Sequence, residues 1–262
     1  MTRDPTPEDL YVLAVIQRHR ASPEDARPER VRGQIEKALR GWRFRAYLEA
    51  VKLSGSHPKS TALRDSDMDL FLSLSPETPV PLREIQASLA EHFCYSTSET
   101  RNVSVRIRWE DTAVDLVPGR RRTGSTSHSL WQPRLNTWLQ TDIAEQIRHV
   151  RASGVVNEVL ALKIWQRRRK LRWPGFLLEL AAIRGTRRPS ERKGRLAMPG
   201  YGLSNSFLRL LRFLATDFPE ARLLDPANSN NAVSDLLSSA EKLQIATAAG
   251  LSSRACSWPE IL

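Results

Sequence analysis

The stretch "KLSGSHPKSTALRDSDMDLFLSL", residues 52–74, sets a Gly-Ser pair and a polar loop ahead of a run in which acidic and apolar residues alternate. On an extended strand side chains two apart share a face, so Asp67 and Asp69 point one way while Met68, Leu70 and Leu72 point to the core. Two carboxylates held side by side repel unless a cation compensates them, and hard divalent ions such as Mg2+ take oxygen ligands of this kind. A solvated strand edge is the other reading of the same Asp-x-Asp pair. Upstream, Gly55-Ser56 followed by a short helix would offer backbone N–H groups and a hydroxyl to a phosphate, with the glycine permitting close approach.

Further along, "AVDLVP", residues 113–118, places Asp115 between Val114 and Leu116. A strand that buries those two turns Asp115 to the opposite face, where pairing beside the first strand would let it join Asp67 and Asp69. Three converging carboxylates can bind two Mg2+ ions roughly 3.5 to 4 Å apart, one activating a hydroxyl and one steadying a triphosphate. The chemistry this serves is nucleotidyl transfer.

The rest of the chain frames that expectation. Its 262 residues, 40% hydrophobic and 26% charged, suit a folded protein of one or two domains. A net charge of +11 fits binding of polyanions, though a bias of arginine over lysine would give it too. No leader or membrane span is apparent, which points to a cytoplasmic protein with no membrane partner. Cys94 and Cys256 are too few and too far apart for a disulfide framework or a sulfur-held metal. Strands are expected at 67–74, 102–109 and 113–117, with helices at 7–20, 28–50 and 80–93. After a polar stretch at 121–129 the pattern turns helical, at 142–152, 155–171, 174–183, 204–216 and 231–249. This divides the chain into a catalytic domain, 1–120, and a helical lobe, 121–262. The segment 184–202, with six basic residues against one Glu, is expected to be disordered.

Within this frame "GSHPKSTALRDSDMDLFL" resembles the signature of the DNA polymerase β-type nucleotidyltransferases, with Asp67, Asp69 and Asp115 on the three acidic positions. Thr61 and the "VDLVP" around Asp115 are similar to the branch of the bacterial cGAS/DncV-like nucleotidyltransferases, the oligoadenylate synthetases and the archaeal-type CCA-adding enzymes. "VLALKIWQRRRKL" with "FLLEL", and "DPANSNNAV" at 225–233, extend the likeness from about residue 40 to 250. The chain departs from many relatives in Ser60, where they have Gly, and in Gly175, where they have Ser. It also shows neither the RNA-binding domains of a CCA-adding enzyme nor the zinc insertion of animal DNA sensors.

The resemblance implies an α+β fold: a nucleotidyltransferase palm of mixed sheet and helices, then a helical lobe, with the active site in the cleft between them. It implies Asp67, Asp69 and Asp115 as catalytic residues and ligands of two Mg2+ ions, with Mn2+ able to substitute. It implies Gly55, Ser56 and Lys163 as nucleotide-binding residues. Substrates would be nucleoside triphosphates: ATP, and GTP or pyrimidine nucleotides. The implied product is a cyclic di- or oligonucleotide messenger for antiphage defence, made under control of a nucleic-acid or protein activator. Addition of nucleotides to an RNA 3′ end or to a protein is the alternative, and an inactive nucleic-acid-binding module a further one.

Several side chains carry weaker signals. Lys163 sits within the helical apolar stripe Val156, Val159, Leu160 and Ile164, so it either snorkels to water or faces a nucleotide. His57 and Arg120 to Arg122 could contact a nucleotide or be solvated. Phe207, Leu210, Leu211 and Leu214 form a helix face that reads as core.

Overall fold

A computed structural model describes residues 4–96, 99–133, 136–187 and 202–262. Most of the expected basic segment at 184–202 therefore lies outside the described residues. The elements in chain order are α1 (Pro7–His19), α2 (Arg27–Ala38), β1 (Leu48–Ser54), β2 (Met68–Leu74), α3 (Leu82–His92), β3 (Glu99–Thr100), β4 (Val105–Trp109), β5 (Thr112–Arg121), β6 (His128–Gln132) and β7 (Thr137–Thr141). There follow α4 (Ile143–Ala152), α5 (Val156–Arg168), α6 (Gly175–Thr186), α7 (Leu203–Thr216), β8 (Leu224–Asp225), β9 (Asn228–Ala232), α8 (Ser239–Ser253) and α9 (Trp258–Ile261). The fold is α+β, as expected.

The described residues form two compact units. One spans Ala21–Arg148 and Pro226–Asn231. Its centre is a seven-stranded mixed sheet in which β1-β2-β5-β4-β3 are neighbours in that order, with β6 pairing β5 and β7 pairing β6. β2 and β5 run parallel, and the other pairings are antiparallel. The alternation of β2 sends Met68, Leu70, Leu72 and Leu74 to one face, where they meet Val105, Ile107, Val114 and Leu116 of neighbouring strands. Val31 and Ile35 of α2 and Ile85 and Leu89 of α3 cover that layer. Trp42 is buried among them, and its indole N–H donates to Ser88 Oγ at 2.9 Å.

The opposite face is divided. Phe71 and Ser73 lie on it and are buried, with His128 at the start of β6 packed against both. Phe71 meets His128 edge to face, and Ser73 Oγ lies 2.8 Å from His128 Nε2. Burial, then the nearby Lys52 ammonium, holds His128 below its ordinary pKa and favours the neutral ring. Gly119 leaves room for the Phe71 ring, since a Cβ there would stand 2.6 Å from Phe71 Cζ. The N-terminal end of the same face carries the aspartates.

The second unit comprises Met1–Arg20, His149–Asp225 and Ala232–Leu262. Val12 and Ile16 of α1 are buried with the apolar residues of α5, α6 and α7, and Phe207, Leu210, Leu211 and Leu214 belong to this core. Asp9 accepts from the backbone of Thr6 at the start of α1 and from Ser204 N at the start of α7, so one carboxylate serves two helix N-termini. Trp165 of α5 donates to Ser252 of α8 at 2.9 Å.

Three expectations are corrected. The helix expected over 28–50 ends at Ala38, and Leu48 begins β1. An irregularity between Leu48 and Ala50 breaks the two-residue alternation of β1, so its apolar spacing imitates a helix. Strands do not stop near 120: β5 reaches Arg121, and β6 and β7 continue the sheet to Thr141. Their polar composition conceals them, because β6 is held by pairing to β5 and β7 by pairing to β6 more than by burial of their own apolar side chains. The last long helix begins at Ser239 rather than near 231: β9 runs to Ala232, Val233–Leu236 form a short 3-10 helix, and a capping box of Ser238 and Glu241 then starts the long helix.

The layering fixes the scale of a core mutation. Leu70→Ala, in a fully buried site, should cost about 2–5 kcal/mol, whereas exposed Arg108→Ala should stay within about 0.5 kcal/mol. Urea unfolding of the two variants measures the difference.

Candidate active site

Register places the acidic residues. Asp69 of β2 lies directly beside Asp115 of β5, and the parallel pairing continues unbroken from Met68/Val114 to Leu74/Arg120. Adjacent strands are about 4.8 Å apart, and directly paired residues share a face. On the outer side of β2, Ser54 of β1 pairs with Asp69; on the outer side of β5, Arg106 of β4 pairs with Asp115. Ser54, Asp69, Asp115 and Arg106 thus form a single row across four strands. Asp67 stands just before β2, with its side chain 46% exposed.

Arg106 supplies the cation that these carboxylates require. Its Nε donates to Asp115 Oδ1 at 3.0 Å and its Nη2 to Asp115 Oδ2 at 2.6 Å, a two-point grip. Nη2 also donates to Asp67 Oδ2. Ser104 Oγ adds a longer bond of 3.4 Å to Asp115 Oδ1. The hydrogen bonds from Arg106 to Asp115 raise the guanidinium pKa still further, so the group stays charged. Arg106 was not visible as a site residue in the sequence. Only its alternation with Val105 and Ile107 hinted that it faces away from the core.

The Gly-Ser loop reaches the same row. Gly55 has φ +63°, a left-handed conformation that glycine adopts without strain, and a Cβ there would stand 2.5 Å from Asp69 Cγ. Its backbone is therefore laid against the Asp69 carboxylate. The short helix expected after Ser56 is replaced by consecutive turns: Ser60 N donates to His57 O and Thr61 N to Ser56 O, each at 3.0 Å. Ser60 itself has φ +62°, and this reversal of the chain stops a helix from propagating. Thr61 and Lys59 are buried within the loop.

The remaining candidates are engaged elsewhere. Lys163 lies on α5 in the other unit, 12% exposed, with Nζ 3.6 Å from Oε1 of Glu179 on α6, which is 2% exposed. A buried lysine of this kind is held by its charge partner and does not snorkel freely. Arg120 donates to the carbonyls of Thr78 and Val80. Arg121 grips Glu49 at 2.9 and 2.7 Å, and that guanidinium holds the Glu49 carboxyl below its ordinary pKa. Arg122 donates to Gln140 and stacks 5.6 Å from the Trp138 ring centroid.

The carboxylate row suits a hard divalent ion in donor type. As they stand, no three His, Cys, Asp or Glu side chains among the described residues close on a point that a metal could occupy, and Arg106 bridges Asp67 to Asp115. Three carboxylates are the donor type such an ion takes, and Arg106 holds two of them.

No protein-family model matches the sequence, and no curated protein matches it. Solved structures do. The CD-NTase CdnG of Bradyrhizobium diazoefficiens, in complex with GTP, is similar over 95% of this chain and 90% of its own, at 13% identity and a TM-score of 0.74. CdnC of E. coli MS115-1 with ATP covers 95% and 90% at 19% identity and 0.67. The Cid1 poly(U) polymerase covers 96% and 95% at 14% identity and 0.63. The chain has the nucleotidyltransferase fold that these proteins share.

Close approach at Gly55 generates one expected outcome. Gly55→Ala combines an unfavourable φ with a collision against Asp69, and should destabilise the protein by about 1–3 kcal/mol, readable in urea unfolding.

Proposed function

We propose that the chain is a metal-dependent nucleotidyltransferase that joins nucleoside triphosphates into a cyclic di- or oligonucleotide messenger, acting in the cytoplasm in antiphage defence. The observation that carries the reading is the in-register pairing of Asp69 with Asp115, with Gly55 against Asp69 and Asp67 one residue before the strand. A nucleotidyltransferase fold supports it, as does the similarity to enzymes described as cyclic dinucleotide synthases, including CdnE of Elizabethkingia meningoseptica.

In this reading Asp67, Asp69 and Asp115 hold two Mg2+ ions, or Mn2+, which supply charge neutralisation to the triphosphate and acidify the attacking hydroxyl. The chain's own residues do the positioning. The turns after Gly55 present backbone N–H groups and the Ser56 hydroxyl to phosphate oxygens, and Gly55 keeps that backbone against the acidic row. Lys163, oriented by Glu179, is the proposed ammonium contact to a nucleotide. Substrates are ATP together with GTP or a pyrimidine nucleotide. CdnC of E. coli MS115-1 is known in a complex with HORMA-deltaN, which favours a protein activator here, with nucleic acid the other candidate.

A second reading, addition of nucleotides to an RNA 3′ end, is favoured by the likeness to the Cid1 poly(U) polymerase. The cyclic product is the first reading here, and the labelled-nucleotide experiment separates the two.

Incubation with each α-labelled triphosphate and Mg2+ or Mn2+, with and without RNA, tests the choice. The expected result is a small phosphatase-resistant product made without RNA. Asp69→Ala should remove about 4 kcal/mol or more of transition-state stabilisation, on the order of a thousandfold in rate, while leaving the protein folded by circular dichroism. Label found only on added RNA would transfer the assignment to the second reading. Wild-type turnover in Asp69→Ala would remove the catalytic assignment.

A further inference from the structure

We infer that Arg106 is a built-in competitor for the divalent metal, occupying the Asp67 and Asp115 carboxylates until an incoming metal displaces it. The inference rests on the proposed reading of Asp67, Asp69 and Asp115 as metal ligands, and adds to it a residue that regulates their occupancy.

The geometry carries the argument. One guanidinium satisfies three carboxylate oxygens: Asp115 Oδ1 and Oδ2, at 3.0 and 2.6 Å, and Asp67 Oδ2. Those oxygens belong to two of the three proposed metal ligands, so Arg106 takes lone pairs that a metal would use and sets a positive charge against the incoming ion. An arginine cannot give way by losing its proton, because it stays ionised at any pH the fold tolerates. It yields only by swinging aside. The side chain is 22% exposed, enough to reach solvent, whereas Asp115 at 13% is fixed in the row by its strand. On that side β4 is flanked by the two-residue strand β3, which sets Glu99 directly beside Arg106.

Two consequences follow. Without metal, Arg106 relieves the repulsion within the row and keeps the acidic face folded. With metal, part of the binding energy is spent on breaking the grip on Asp115, so free metal binds more weakly than the carboxylates alone would allow. A metal-bound triphosphate overcomes this better than metal alone, because it brings a cation for the aspartates and an anion for the released guanidinium. The protein is thereby biased against loading its site with metal before nucleotide arrives.

Mn2+ binding to the full chain without nucleotide, followed by the paramagnetic resonance of the free ion, tests the proposal. Arg106→Gln should bind Mn2+ about ten- to a hundredfold more tightly than wild type, the factor expected for removing a charge-assisted grip. Arg106→Lys, which keeps one charge but lacks the two-point fork, should fall between them and guards against a misfolded glutamine variant. Its apparent melting temperature should also rise more on adding Mn2+ than that of wild type. Equal or weaker Mn2+ binding in both variants, with binding still lost in Asp115→Asn, would overturn the competitor role alone. Unchanged Mn2+ binding in Asp69→Asn and Asp115→Asn, or no binding by any of the proteins, would overturn the metal reading beneath it.

Discussion

Parallel pairing of β2 with β5 in one register fixes both faces of the sheet at once. The register that sets Leu70 beside Leu116 in the core sets Asp69 beside Asp115 on the opposite face. A slip of one residue would bury the carboxylates and expose the leucines, so the apolar layer enforces the position of the acidic row. The hydrophobic effect therefore does the work of bringing like charges together. Two unit charges about 5 Å apart repel by roughly 3 kcal/mol at an effective dielectric of about 20, which is large against a marginal net stability. A cation is needed, and in this structure it comes from the next strand, as Arg106.

That arrangement links stability to function. The fold tolerates the row because Arg106 neutralises it, and the proposed chemistry requires that Arg106 yield to a metal. The loop at Gly55 is subject to the same economy of space: its backbone lies against Asp69 and no side chain fits there. At the far end of the face Phe71 and Ser73 are buried against His128 of β6.

Much of this was legible in the sequence, for reasons that are local. Alternation in residues 67 to 74 gave the orientation of Asp69 and of the leucines, and the apolar neighbours of Asp115 gave its face. Gly55 was legible as a point of close approach. What escaped the sequence depends on partners far along the chain. Arg106 gains its meaning only from antiparallel pairing with β5, and Glu179 from packing of α6 on α5. β1 has a helix-like pattern because an irregularity disrupts its alternation, and β6 and β7 carry little strand signal because their neighbours, more than their own apolar content, keep them extended. The turns at 55 to 60 replaced a helix because Ser60 adopts a left-handed backbone that nothing in its residue type announces.

The central claim is that the row of Asp69 and Asp115 receives divalent metal with a nucleotide. Crystals grown with Mn2+ and a non-hydrolysable triphosphate, measured at the manganese edge, address it directly. The account predicts anomalous density within coordinating distance of both carboxylates, about 2.0 to 2.4 Å, with Arg106 turned away from Asp115. Nucleotide bound with no manganese peak at these carboxylates, or with Arg106 still gripping Asp115, would contradict it.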